Sequence, residues 1–284
     1  MLSDVTTPER VDHVSSQGYA WGYIGSCVPF VVCLLLILNA GKIGLSMEMS
    51  MMISFAIIAF WWFGLTLPLL KTYQQKYYVE RKSHAMQNSF KRLFETIKNV
   101  RKEKKIFLFL LAFFFYIDGV YTIIDMATAY GTALGFESTG LLLALLLTQV
   151  VAFPFAILFG RLSSKYEAAK LIRVCILAYL GISIFAIFLT KQWQFWLLAV
   201  LVGMFQGGIQ SLSRSYFTKI IPLEKSGEYF GLMDVCGKGA SFLGTTVVGV
   251  LSQTTGQINL SLGALSVFFM LGIVFFRMSE KREG

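Results

Sequence analysis

Apolar positions in this chain do not recur at a helical or strand period over most of its length; they come in unbroken runs. Eight runs cover approximately residues 18–38, 49–70, 106–127, 138–160, 170–190, 193–212, 229–252 and 258–276. Each is close to the roughly 20 apolar residues needed to cross a hydrocarbon core about 30 Å thick. Backbone polar groups in lipid must be satisfied within the segment or by a closed barrel. A barrel wants alternating segments of about 10 residues, so unbroken runs predict helices. The pattern predicts an all-α integral membrane protein with eight transmembrane helices and the lipid bilayer as its first partner.

The polar positions between the runs refine this picture. The connecting segments that hold Arg10, the eleven cations from Lys71 to Lys105, then Arg161, Lys165, Lys170 and Arg173, then Arg214, Lys219 and Lys225, and finally Arg277, Lys281 and Arg282, take all but three of the 25 basic residues. Of the remaining three, Lys42 and Lys191 lie in the intervening connections and Lys238 within a run. Alternate loops therefore carry the positive charge, which places both termini in the cytoplasm by the positive-inside rule. The net charge of +9 is a consequence of topology and does not point to nucleic acid. A composition of 56% hydrophobic and 14% charged residues excludes an ordinary soluble domain, which is about one-quarter charged. Cys27, Cys33, Cys175 and Cys236 fall in or beside apolar runs and read as small buried hydrophobes, with no disulfide framework or zinc site. The opening MLSDVTTPERVDHVSSQ has no apolar core, so no signal peptide is expected. His13 and His84 fall in expected loops and invite no ligand, and no cofactor is expected.

The basic cluster leaves two spans before it and six after it, dividing the chain into residues 1–70, 71–105 and 106–284. Within the cluster, NSFKRLFETIKNV sets Phe90, Leu93, Phe94 and Ile97 at helical spacing with Lys91, Arg92 and Lys98 between them. This predicts an amphipathic helix on the membrane surface. A faint internal echo links GYAWG at 18–22 with GEYFG at 227–231, which pairs the first two spans with the last two in a repeated plan.

The loop FGRLSSKYEAAK resembles the loop signature of the major facilitator superfamily, with Gly160, Leu162, Lys165 and Lys170 in the usual places and Ser164 and Ala168 departing from them. Three longer stretches, VSSQGYAWGYIGS, YIDGVYTIIDMATAYG and GGIQSLSRSYFTKIIPLEKSGEYFGLMDVCGKGASFLG, look like the branch of that superfamily named for the vacuolar amino-acid effluxer of autophagy and its bacterial relatives. The resemblance implies a major facilitator-like helical bundle: a six-helix C-terminal half preceded by the last two helices of the N-terminal half. Members have twelve spans, so about four helices are absent here or come from a separate polypeptide. It also implies a bacterial plasma membrane and amino acids as the solute class.

Two carboxylates interrupt the third run. Asp118, Tyr121, Thr122 and Asp125 share one helix face, a polar stripe that lipid disfavours by at least a few kcal/mol per charge. Counting from Ile106, a rise of 1.5 Å per residue puts Asp118 about 18 Å deep and Asp125 about 28 Å deep. Asp118 is the candidate for proton or solute binding, or else a structural hydrogen-bonding group beside Gly119. Gln149, Gln206 and Gln210 are candidates to line the solute pathway, or to join helices alongside Gly203 and Gly207. Gly160, Arg161, Lys165, Arg214, Asp234 and Lys238 form a candidate cytoplasmic gate, with Asp234 and Lys238 one turn apart as an ion pair. The expected activity is secondary transport of a small polar solute by alternating access, with proton coupling through Asp118. No GxxxxGK[ST] signature supplies ATP binding. The alternatives are a shortened, non-transporting membrane protein, and an intramembrane enzyme using Asp118 and Asp234, for which no supporting motif is present.

Overall fold

The computed structural model describes residues 2–76 and 96–281. It is all-helical among the described residues, and eight of its helices there are long and apolar enough to cross a membrane, as the apolar runs predict. In chain order the helices are α1 (Leu2–Val5), α2 (Val11–Leu38), α3 (Met47–Thr72), α4 (residues 96–102), α5 (Lys104–Asp125), α6 (Ala127–Ala133), α7 (Ser138–Leu162), α8 (Ala168–Ile187), α9 (Gln192–Ile220), α10 (Ser226–Thr255), α11 (Ile258–Gly263) and α12 (Leu265–Glu280).

Two helices run well past their apolar runs. α2 starts at Val11, so His13 is helical and not in a loop. α9 continues through SLSRSYFTKI to Ile220. Both extensions carry polar residues that are satisfied by partners. Ser15 donates to the Ser211 carbonyl at 2.8 Å, the Ser16 and Ser211 hydroxyls lie 3.1 Å apart, and Lys219 pairs with Asp12 at 2.6 Å. Hydropathy counts those residues as loop, whereas their mutual bonds let the helices continue.

The interior is built by close helix contact. α7 packs on α9, where glycines remove the obstacle: a Cβ at Gly207 would stand 2.6 Å from that of Ala156, and one at Gly203 would stand 2.6 Å from the Thr148 carbonyl oxygen. This is the small-residue packing that membrane helices use when no hydrophobic force separates them from lipid. α5 packs on α12 through aromatic rings, with Phe115 and Phe275 stacked at 5.7 Å, while Phe269 closes over Gly119. α8 joins α9 to α12, α10 lies against α5, and α2 lies against α7 and α9. α3 packs chiefly on α2 and buries only Ser50 and Ser54.

On the basic side a layer of polar bonds ties the helix ends. Thr96 of α4 donates to Glu228 at 2.8 Å, Tyr229 donates to Glu103 at 3.1 Å, and Ser279 donates to the Lys105 carbonyl at 2.8 Å. Tyr73 donates to the buried Asp4 at 2.7 Å, which fastens α1 to the end of α3. Of the expected amphipathic helix only its last turns, including Ile97, are described; Phe90, Lys91, Arg92, Leu93, Phe94 and His84 lie outside the described residues.

Candidate functional site

Polar side chains of α2, α5, α9 and α10 converge in two tiers between these helices. At 1.5 Å per residue from the helix ends on the basic side, Arg214 stands about 9 Å in, and Tyr19 and Asp234 about 12 Å. Tyr19 faces the Arg214 guanidinium, and the charges of Arg214 and Asp234 act on both Tyr19 and Tyr121. Arg214 lies 5.2 Å from the centre of the Phe230 ring and has no ion-pair partner among the described residues. A half-buried guanidinium that leans on an aromatic face and meets a tyrosine hydroxyl still has further N–H donors to offer an anion.

The deeper tier lies about 15–21 Å in by the same count. Tyr23 donates to Gln210 at 2.9 Å and neighbours Gln206, whose Oε1 is buried without a partner. On α5, Asp118 is fully buried. Its Oδ1 accepts the backbone N–H of Gly244 at 2.9 Å and the Thr122 hydroxyl at 3.3 Å, and its Oδ2 has no partner. Gly244 is required here, because any side chain would run into Asp118 and Thr122. A carboxylate oxygen with nothing to accept is costly in a dry interior, so the group is suited to hold a proton or to meet a passing donor.

The expected polar stripe keeps to one face, and that face is turned to α10. Asp118, Thr122 and Asp125 face α10, the last receiving the Ser241 hydroxyl at 3.0 Å, and Tyr121 points toward Gly237 and the lower tier. Gln149 stands outside this network and lines a small apolar cavity with Ile123, Ile124 and Phe195. Among the gate candidates, Gly160 is pressed against α2, where a Cβ would stand 2.7 Å from that of Ser16. Arg161, in the last turn of α7, and Lys165, in the α7–α8 connection, are exposed with no bonded partner among the described residues. The Asp234–Lys238 pair is not formed: both side chains are exposed, and Asp234 is directed instead to the Tyr19–Arg214 tier.

Sequence reasoning missed Tyr19, Tyr23, Ser15, Ser16 and the Asp12–Lys219 pair. The signal was present, since Asp12, Ser16, Tyr19 and Tyr23 follow helical spacing along one face of α2. Also missed was Tyr116, which is fully buried and lies 2.6 Å from the Ser213 hydroxyl.

The chain is similar to proteins of known family. The model of the family described as vacuole effluxer Atg22 like matches residues 3–284. An uncharacterised MFS-type transporter, YxiO, of Bacillus subtilis is 43% identical over 275 residues, which cover 96% of this chain and 64% of that protein. Autophagy-related protein 22-1 of Aspergillus fumigatus is 26% identical over 304 residues, covering 95% of this chain and 48% of that protein. Autophagy-related protein 22-2 of Aspergillus clavatus is 28% identical over 295 residues, covering 91% and 46%. The chain therefore spans between about half and just under two-thirds of the length of these relatives. With a family match over nearly every residue and a bundle of the corresponding kind, the chain belongs to the Atg22-like vacuole effluxer family of multi-pass membrane proteins.

Proposed function

We propose that this chain supplies one wall and the binding groups of a secondary transporter for a small solute carrying both charges, with amino acids the class that the sequence resemblance implies. The observation that carries this is the lower tier, where a partly buried Arg214 without a carboxylate partner among the described residues and an exposed Asp234 both act on Tyr19 and Tyr121. A carboxylate matches the planar fork of Arg214, and an ammonium matches Asp234, so one zwitterion can satisfy both. Tyr23, Gln206 and Gln210 offer uncharged bonds deeper in the same cleft.

Asp118 is the proposed coupling group. Protonation places a donor on the orphaned Oδ2 and weakens the hold of Oδ1 on the Gly244 N–H, which loosens α10 from α5. Rocking of α10 in this way is one half of an alternating-access cycle. The other half needs an opposing bundle. The open faces of α2, α3 and α10 fit four further helices, in the same polypeptide or a separate one, with both termini on the cytoplasmic side of a bacterial plasma membrane. No catalytic role is proposed.

The test is uptake of radiolabelled amino acids into liposomes holding the chain alone, and the chain together with a four-helix complement, under an imposed pH gradient. Gradient-dependent uptake that Arg214→Ala abolishes, and that Asp118→Asn uncouples from pH, is the expected result. Uptake indifferent to both substitutions would overturn the site. Absence of uptake with the complement present would favour a non-transporting protein.

A further inference from the structure

Away from the cleft, α4, α5 and α10 enclose a groove of about 320 Å³ on the outer surface of the bundle. Its walls are Ile97 of α4, Phe107, Leu111 and Phe114 of α5, and Cys236 of α10, and the single charged residue in its lining is Arg101. From Phe107 to Phe114 the groove runs about 10 Å along α5 at 1.5 Å per residue, so it is deep enough to take the upper part of an acyl chain. The roof is not a loose flap: Thr96 and Glu103, on either side of Arg101, are bonded to Glu228 and Tyr229 of α10.

The segment that roofs the groove is predominantly basic, and the neighbouring Glu228 of α10 is bonded to Thr96. Lys98, Arg101, Lys102, Lys104 and Lys105 stand within ten residues of sequence, and the single acid among them, Glu103, is occupied by Tyr229. Arg101 is exposed and has no hydrogen bond or ion pair among the described residues. An apolar slot on the outer face of a membrane helix pair, with an exposed guanidinium at its basic end, presents the two halves of a phospholipid with two matching surfaces.

We infer that this groove is a binding site for an anionic phospholipid of the adjoining leaflet, with one acyl chain between α5 and α10 and the phosphate on the Arg101 guanidinium. The guanidinium fork fits a phosphate in two-point contact, and the low dielectric of the slot below strengthens that contact relative to a bond in open water. Because α4 is bonded to α10, occupancy also braces the end of α10 against α5. Lipid composition is thereby linked to the helix that Asp118 and Asp125 hold.

The experiment uses the full chain in phosphatidylcholine vesicles with a minor share of spin-labelled phosphatidylglycerol, and reads the motionally restricted fraction of the label. The wild-type chain is expected to retain phosphatidylglycerol over labelled phosphatidylcholine. Arg101→Ala is expected to reduce that preference about tenfold, as loss of a charge-assisted contact does. Leu111→Trp, which fills the groove and leaves every cation in place, is expected to reduce it as well. Alkylation of Cys236 by a maleimide in the unmodified chain should slow in phosphatidylglycerol and not in phosphatidylcholine, a readout that needs no substitution. A preference that survives Leu111→Trp, or that falls equally with Lys98→Ala and Arg101→Ala, means diffuse attraction to surface charge and overturns the site. Absence of any preference means that the groove is filled otherwise, for instance by the preceding segment of this chain, and overturns it too.

Discussion

Helices α9 and α10 are both rich in glycine and serine, yet the two use their glycines differently. In α9, side chains at Gly203, Gly207 and Gly208 would all collide with α7, so the pair is interlocked along its length. In α10, the positions of a Cβ on Gly227, Gly231, Gly239 and Gly249 have no atom within 4 Å, and the same is true of Gly18, Gly22 and Gly25 on α2. Only Gly237 and Gly244 of α10 meet neighbours, both on α5, and at Gly244 that neighbour is a carboxylate. Interdigitated packing forfeits much of its dispersion attraction on a shift of an ångström, whereas a hydrogen bond can be exchanged for another. The difference makes α9 a fixed element and α10 one held by releasable bonds, with an open flank.

The sharpest way to break this contrast is Gly207→Leu. A leucine cannot enter the α7–α9 contact without displacing Ala156, and the expected cost is about 3 kcal/mol or more, read as loss of folded protein in detergent-based unfolding. Gly244→Ala comes next. It pushes Asp118 and Thr122 away from α10 and is expected to cost about 1–3 kcal/mol by the same assay, while also raising hydrogen exchange along α10. Lys219→Ala leaves the buried Asp12 carboxylate without its cation and is expected to destabilise the α2–α9 contact by about 1–2 kcal/mol, a modest value because Lys219 is partly exposed. Smallest of all, Gly22→Leu and Gly231→Leu should change the stability of this chain by less than about 0.5 kcal/mol. If either proves as damaging as Gly207→Leu, the faces taken here as open are closed.

The bilayer, the eight spans and the two carboxylates were legible in the sequence because hydrocarbon punishes polar groups one residue at a time. Asp118 stands out in IFLFLLAFFFYIDGV without any knowledge of what it touches. Its partner was not legible. A backbone N–H has no sequence signature, and Gly244 is one glycine among several on α10. The extents of α2 and α9 were misjudged for a related reason. Hydropathy scores Asp12, Ser15, Ser16, Ser211 and Lys219 as solvent-facing, while in the fold they satisfy one another across a helix pair. Asp234 and Lys238 show the converse error. Spacing of four suggests an ion pair, but in the fold the Asp234 carboxylate acts on Tyr19 and Tyr121 of neighbouring helices. Local spacing can pair residues on one helix; only tertiary packing decides which of them turn to a neighbour.

A water-filled solute path between these helices would wet Gln210, which is half-buried and bonded to Tyr23. In a chain whose native cysteines are replaced by alanine, Gln210→Cys should react with a membrane-impermeant thiol reagent added to the side of the basic loops. Amino acids, where transported, should protect it. A cysteine at 210 that is unreactive from both sides of the membrane would show a sealed interior in place of a solute path.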